Sequence, residues 1–285
     1  MITALDCIPC FFFQLLIAAR RADPGDEDLH RRLIAAWAQR VADLDLTQSP
    51  PAIAGRMYGM VAEMTGCDDI YAQAKKDANQ RVLDMLPELR GLLDNGQDRL
   101  RRALEFSIVG NYMDCAVPRE FDWQAELRRM DSDLDPDAYQ AFSEAAASGT
   151  DILILGDNAG EIGLDTLLVE ALLDRGCRVT YAVRGRPVIN DATLEDARTV
   201  GMTELCEVVS SGVDTPGTVI ERCDPAFLER MDRADLIVSK GQGNFEALCG
   251  ERPEVWFAFK VKCPVVAKMT GRPVGHSMFC TRPEG

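Results

Sequence analysis

Three short polar stretches hold side chains suited to chemistry: "GDNAGE" at 156–161, "VINDAT" at 188–193 and "KGQGNFE" at 240–246. Asp157, Asn158 and Asp191 are hard oxygen donors. Two carboxylates and one carboxamide suit a divalent cation such as Mg²⁺ or Mn²⁺, leaving positions for water and substrate. Lys240 and Arg184 add fixed positive charge. A metal with one or two cations beside it is what a phosphoryl group needs. Each stretch alone has a plainer reading. Asp and Asn after a strand form turns, Asp191 can cap a helix, and the glycines of "KGQGN" can serve only backbone shape. Their convergence on one edge of a sheet favours chemistry.

The flanking pattern predicts that edge. Residues 11 to about 147 read as helices, with apolar residues at three- and four-residue spacing in "FFFQLLIAARRA", "EDLHRRLIAAWAQRVADL" and "PAIAGRMYGMVAEMTG". "DIYAQAKKDANQRVLDMLPELRGLL" continues the pattern, with a break expected at Pro87. From 150 onward, strands alternate with helices. "DILILG", "RVTYAVRG", "CEVVSS", "DLIVSKG" and "VWFAFK" read as strands, and "PVVAKM" as a last short one. The expected fold class is α/β: a mostly parallel sheet with helices on both faces, preceded by an all-helical part. The boundary falls at 147/148. In such sheets ligands sit beyond the carboxyl ends of the strands, and helix N-termini expected near 160 and 244 would add backbone N–H donors there.

Gly156, Gly160 and Gly163 also allow a dinucleotide or S-adenosylmethionine turn. That reading expects an acid at the end of the second strand, where this chain has Arg184. It keeps a carboxyl methyltransferase as an alternative that needs a cofactor and no metal. A third reading is a non-catalytic protein that binds a phosphorylated metabolite. Cys7 and Cys10 form a CxxC at a helix start, open to redox or metal chemistry or to plain packing. The ten cysteines are scattered through apolar segments, which does not read as a disulfide framework. The net charge of −15 argues against general nucleic-acid or anionic-membrane binding. No apolar run reaches the ~18 residues of a membrane span. The N-terminal stretch lacks a basic n-region and reads as a mature helix, so a cytoplasmic location is expected.

Taken in order, "GDNAGE", "VINDAT" and "KGQGNFE" resemble the damage-control phosphatase family, metal-dependent phosphatases also described as ARMT-like. "CIPC", "DIYAQAKKDANQ" and "VGNYMDCA" extend the resemblance to the prokaryotic branch and over most of the chain. The resemblance implies a helical domain packed on a three-layer α/β/α domain, with the active site in the cleft between them. It implies one divalent metal (Mg²⁺, Mn²⁺, Co²⁺ or Ni²⁺) held by Asp157, Asn158 and Asp191. It also implies phosphate held by Lys240, Gly241, Gly243 and Asn244, with substrate contacts from Asn111, Asp114, Glu161 and Arg184. The implied substrate is a small phosphorylated metabolite, and Asp157 and Lys240 are the implied catalytic residues.

Overall fold

The structure, a computed structural model, describes residues 1–94, 98–110, 134–252 and 255–281. Among the described residues six helices come first: α1 (Cys7–Ala22), α2 (Glu27–Val41), α3 (Pro50–Thr65), α4 (Ala72–Asp94), α5 (Arg99–Val109) and α6 (Pro136–Ala145). The alternating part follows as β1 (Asp151–Leu155), α7 (Glu161–Asp174), β2 (Arg178–Val183), α8 (Leu194–Thr199), α9 (Met202–Leu205), β3 (Glu207–Ser210), α10 (Pro225–Arg233) and β4 (Leu236–Lys240). It ends with α11 (Gln242–Leu248), β5 (Val255–Lys260), α12 (Pro264–Thr270) and β6 (Ser277–Cys280). Among the described residues no helix is long and apolar enough to cross a membrane.

The strands form one sheet in the order β3-β2-β1-β4-β5-β6. Neighbours are parallel from β3 to β5, and β6 closes the edge antiparallel to β5. The chain leaves β1 toward β2 on one side and returns to β4 on the other. Their carboxyl ends therefore flank the point where strand order reverses, the place where open α/β sheets bind ligands. β1, "DILIL", is buried on both faces after its first residue, as a central parallel strand requires.

Helices cover both faces. On one, Val82, Leu104 and Phe142 share a core with Ile152, Ile154 and Leu168. This core runs across residue 147, because α5 and α4 lie directly on α7. On the other face, Phe227, Phe245 and Val266 pack against Phe257 and Phe259. α1 to α3 keep a separate core around Leu15, Trp37, Ile53 and Met57, and α3 docks on α11.

Three local expectations need correction. α4 continues through Pro87. The proline is exposed, so water can satisfy the carbonyl it releases, while Val82, Leu86, Leu89 and Leu93 hold the helix to the core. "PVVAKM" is helical. Pro264 takes the first turn, the Cys263 sulfur accepts from the Val266 N–H, and Gly271 at φ 66° ends the helix. Asp191 does not cap the helix that follows it. Thr193 and Asp196 form a reciprocal capping box there.

Candidate active site at the sheet switch point

β1 ends at Leu155 and delivers Asp157 and Asn158 beyond the sheet. The loop after β2 delivers Asp191. The two segments are tied by main chain: the Ala159 N–H donates to the Asn190 carbonyl (2.8 Å) and the Ala192 N–H to the Asp157 carbonyl (2.7 Å). Asn158 and Asp191 thus face each other across an isolated antiparallel bridge. The turn that makes this possible strains Ile189, a β-branched residue held at φ 46°. Such a conformation costs about 1–2 kcal/mol and survives only where its surroundings enforce it, most often at functional sites.

The side chains converge. Asn158 Nδ2 donates to Asp157 Oδ2 (2.7 Å) and Glu161 Oε2 (3.2 Å). Arg184 lies between the two carboxylates, donating from Nε to Asp191 Oδ2 (2.6 Å) and from Nη2 to Asp157 Oδ1 (3.5 Å). All five residues are buried. Burial, then the charges of Asp191 and Glu161, push the Asp157 carboxyl up. Burial also raises Asp191, against the pull of Arg184. An acidic group this crowded fits a divalent cation, which would reverse the electrostatic penalty. The oxygen donor set suits Mg²⁺ or Mn²⁺. The buried Asn190 Nδ2 beside it has no hydrogen-bond partner among the described residues, as expected of a donor that meets water or ligand.

Lys240 and Asn244 lie behind this surface. Lys240 is fully buried and donates to Glu161 Oε1, to Asp165 Oδ1 (2.8 Å) and to the Ser107 carbonyl (3.1 Å). Burial opposes its charge, but Asp165 and Glu161 outweigh that and hold the ammonium above the ordinary lysine range. Asn244 is also sealed. Its Oδ1 accepts from the Thr218 N–H (2.8 Å) and Arg184 Nη1 (3.1 Å), and its Nδ2 donates to the Lys240 carbonyl (2.8 Å) and the Gly156 carbonyl (3.1 Å). It ties the ends of β1 and β4 to Arg184. A Cβ on Gly243 would collide with the Pro216 carbonyl, and one on Gly241 with the Asp157 carboxylate. Asn111 and Asp114 lie outside the described residues.

The glycine turn serves packing. A Cβ on Gly156 would strike the Tyr181 ring, and on Gly163 it would meet Val82 of α4 at 2.7 Å. The Gly160 N–H, expected to face a phosphate, donates to Asn79 Oδ1 (2.7 Å). The Tyr181 ring of β2 and the α4 residues Ala78 and Val82 lie against these glycines. Cys7 is half-buried in the first turn of α1, and Cys10 is exposed. Among the described residues no group of three His, Cys, Asp or Glu is arranged to hold a metal, and the nine described cysteines form no disulfide.

Lys262 was not anticipated. It follows β5, its side chain is exposed, and its charge lowers the acids of Asp157, Asp191 and Glu246. The signal was its place just beyond a strand end, the same rule that marked the other loops. A cavity of about 520 Å³ opens beside the Asp191 loop, lined by Tyr58, Tyr71, Arg186, Val188, Ile189 and Asp214 among others.

Glu246, on α11, is pushed up to about 7 by burial, against the opposing effects of Gln242, the N-terminal ammonium and Lys262. Cys7 also faces it. A glutamate in an unfolded chain ionises near roughly 4.3. Between that pH and about 7 the folded chain keeps a proton that the unfolded chain has lost, so stability falls as pH rises through this window. Glu246→Gln should therefore melt higher than the parent at pH 8 by roughly 2–4 °C, the shift that about 1 kcal/mol produces at this size. The two should melt alike near pH 4. Equal midpoints at pH 8 would refute the assignment.

Fold and site together define a three-layer α/β protein with a buried cluster of carboxylates, a carboxamide and a guanidinium at the switch point of its sheet. The chain belongs to the damage-control phosphatase ARMT1-like domain family, whose model matches residues 3–278. It is 32% identical over 230 residues to a damage-control phosphatase of Archaeoglobus fulgidus, covering 78% of this chain and 79% of that one. It is 29% identical over 286 residues to a damage-control phosphatase of Pyrococcus horikoshii, covering 97% and 96%. The crystal structure of a DUF89 family protein from P. horikoshii superposes with a TM-score of 0.88 at 27% identity, over 100% of both chains.

Proposed function

We propose that the chain is a metal-dependent phosphatase that hydrolyses a small phosphomonoester. The observation that carries this reading is the meeting of Asp157, Asn158 and Asp191 with Arg184 at the switch point, edged by Lys262. Asp157, Asn158 and Asp191 would hold one divalent cation. When bound, that cation supplies Lewis-acid polarisation of a phosphoryl oxygen and shields its charge. Lys262, exposed at the rim, is placed to neutralise the remaining phosphoryl oxygens, the role the sequence suggested for Lys240. Arg184 holds both ligand carboxylates in register. The Asp157 oxygens already accept hydrogen bonds, one from Arg184 and one from Asn158. That favours Asp157 as a ligand and water as the nucleophile. ¹⁸O entering the Asp157 carboxylate in a single turnover would overturn this step. The rest of the substrate would fill the cavity lined by Tyr58 and Tyr71.

The test is hydrolysis of p-nitrophenyl phosphate by metal-stripped protein, with Mg²⁺, Mn²⁺, Co²⁺ and Ni²⁺ returned separately. Turnover that depends on added metal is expected. Phosphate binding without turnover under every metal would replace the phosphatase with a binding protein.

A further inference from the structure

Lys240 sits in a closed hydrogen-bonded group. Its ammonium reaches Glu161, Asp165 and the Ser107 carbonyl. Asp165 also accepts from Ser107 Oγ (2.6 Å) and the Tyr181 hydroxyl (2.6 Å). Lys240, Glu161, Asp165, Ser107 and Tyr181 are all 0% exposed. One member of this group touches the metal-facing surface: Glu161, whose Oε2 accepts from Asn158 Nδ2.

A carboxamide can turn either its oxygen or its NH₂ toward a cation, and only the oxygen binds. The two hydrogens on Asn158 Nδ2 are taken by Asp157 and Glu161, so Oδ1 is the atom left for the cation. Glu161 keeps this orientation because its other oxygen is fixed by the ammonium of Lys240. Lys240 cannot leave to meet a phosphate. Its departure would take from two fully buried carboxylates the ammonium they share, a costly loss in the protein interior.

We infer that Lys240 is a positioning residue: through Glu161 it sets which face Asn158 presents to the metal, and it does not touch the substrate. The inference rests on the metal site proposed above. Groups hydrogen-bonded to a metal ligand, the place Glu161 takes beside Asn158, typically change metal affinity by about 10–100-fold when mutated, and Lys240→Met removes the ammonium that fixes Glu161.

The experiment titrates Mn²⁺ calorimetrically into metal-stripped parent, Lys240→Met and Lys262→Ala, then measures KM and kcat on p-nitrophenyl phosphate at saturating Mn²⁺. Lys240→Met should bind Mn²⁺ at least tenfold more weakly, and at saturating Mn²⁺ its KM should stay within about twofold of the parent. Lys262→Ala should show the reverse: unchanged Mn²⁺ affinity and a raised KM. Should Lys240→Met fail to fold, Glu161→Gln is the second variant, with unchanged volume. Its amide oxygen would turn to Lys240, placing an NH₂ against the NH₂ of Asn158. That donor–donor conflict rotates the carboxamide and should also weaken Mn²⁺ binding tenfold. Parent-like Mn²⁺ affinity with a raised KM in Lys240→Met, or parent-like affinity in Glu161→Gln, would overturn the inference. A parent that binds Mn²⁺ without hydrolysing phosphate esters would end the phosphatase reading alone, because the calorimetric comparison still decides this one.

Discussion

Asp157→Ala should lose at least a thousandfold in metal-dependent hydrolysis while the metal-free protein melts no lower than its parent. The loss corresponds to about 4 kcal/mol in the barrier. It follows from removing one of the two carboxylates proposed to hold the metal, at the centre of the site, where electrostatic contacts are strongest. The stability half follows from the same geometry. Asp157 is buried beside Asp191 and Glu161, and these neighbours disfavour its charge. Alanine removes that repulsion, so the lost activity is not a folding defect. Sites of this kind commonly exchange stability for function. Phosphatase assays with and without Mn²⁺, together with melting of the metal-free proteins, check both halves. Retained activity would remove Asp157 from the site. A melting midpoint many degrees lower would show that its carboxylate is structural.

Gly241→Ala should be the most damaging small substitution in the α/β part. Gly241 has φ 79° and ψ 154°, a region open essentially to glycine alone. Entering it with a side chain costs about 1–3 kcal/mol. The added methyl would also overlap the Asp157 carboxylate, and overpacking adds about 1–3 kcal/mol. The combined expectation is about 3 kcal/mol or more in denaturant unfolding, with hydrolysis reduced over a hundredfold in the folded fraction because Asp157 is displaced. Gly91→Ala is the control: nothing lies within 4 Å of a Cβ there, in the exposed interior of α4. It should be neutral or stabilising by about 0.5–1 kcal/mol. Parent-like stability of Gly241→Ala would show that the loop after β4 relaxes freely.

Much of this site was legible because strand ends in a parallel sheet are punctuated by polar residues and glycine. "DILIL" followed by Gly-Asp-Asn and "LIVSK" followed by Gly-Gln-Gly locate the edge, and Asp157, Asn158, Asp191 and Arg184 do meet there. Depth was not legible. Lys240 and Asn244 look like ligands in the sequence because they are polar and stand beside glycine. Only packing reveals that Ser107 and Asp165, far away in the chain, close over the lysine. Lys262 was missed because β5 runs into "KVKC" with no glycine to mark its end. "PVVAKM" misled through its two valines, although Pro264 before them and Gly271 after them bracket a short helix. The glycines of "GDNAGEIG" showed close approach correctly, but what approaches them is α4 and Tyr181.

The main-chain bridge between Asn158 and Asp191 bears on how the protein would respond to chelation. Loops that are ordered only by a metal lose their shape when it is withdrawn, and the entropy of ordering them weakens every rebinding event. Here the spacing of two of the proposed ligands is written into backbone hydrogen bonds from Ala159 and Ala192, so the ordering is completed during folding. The metal-stripped chain should keep the amide-exchange protection of Ala159 and Ala192, and different divalent ions should meet one preset opening. Which ion occupies it in the cell would then be governed by supply as much as by the protein.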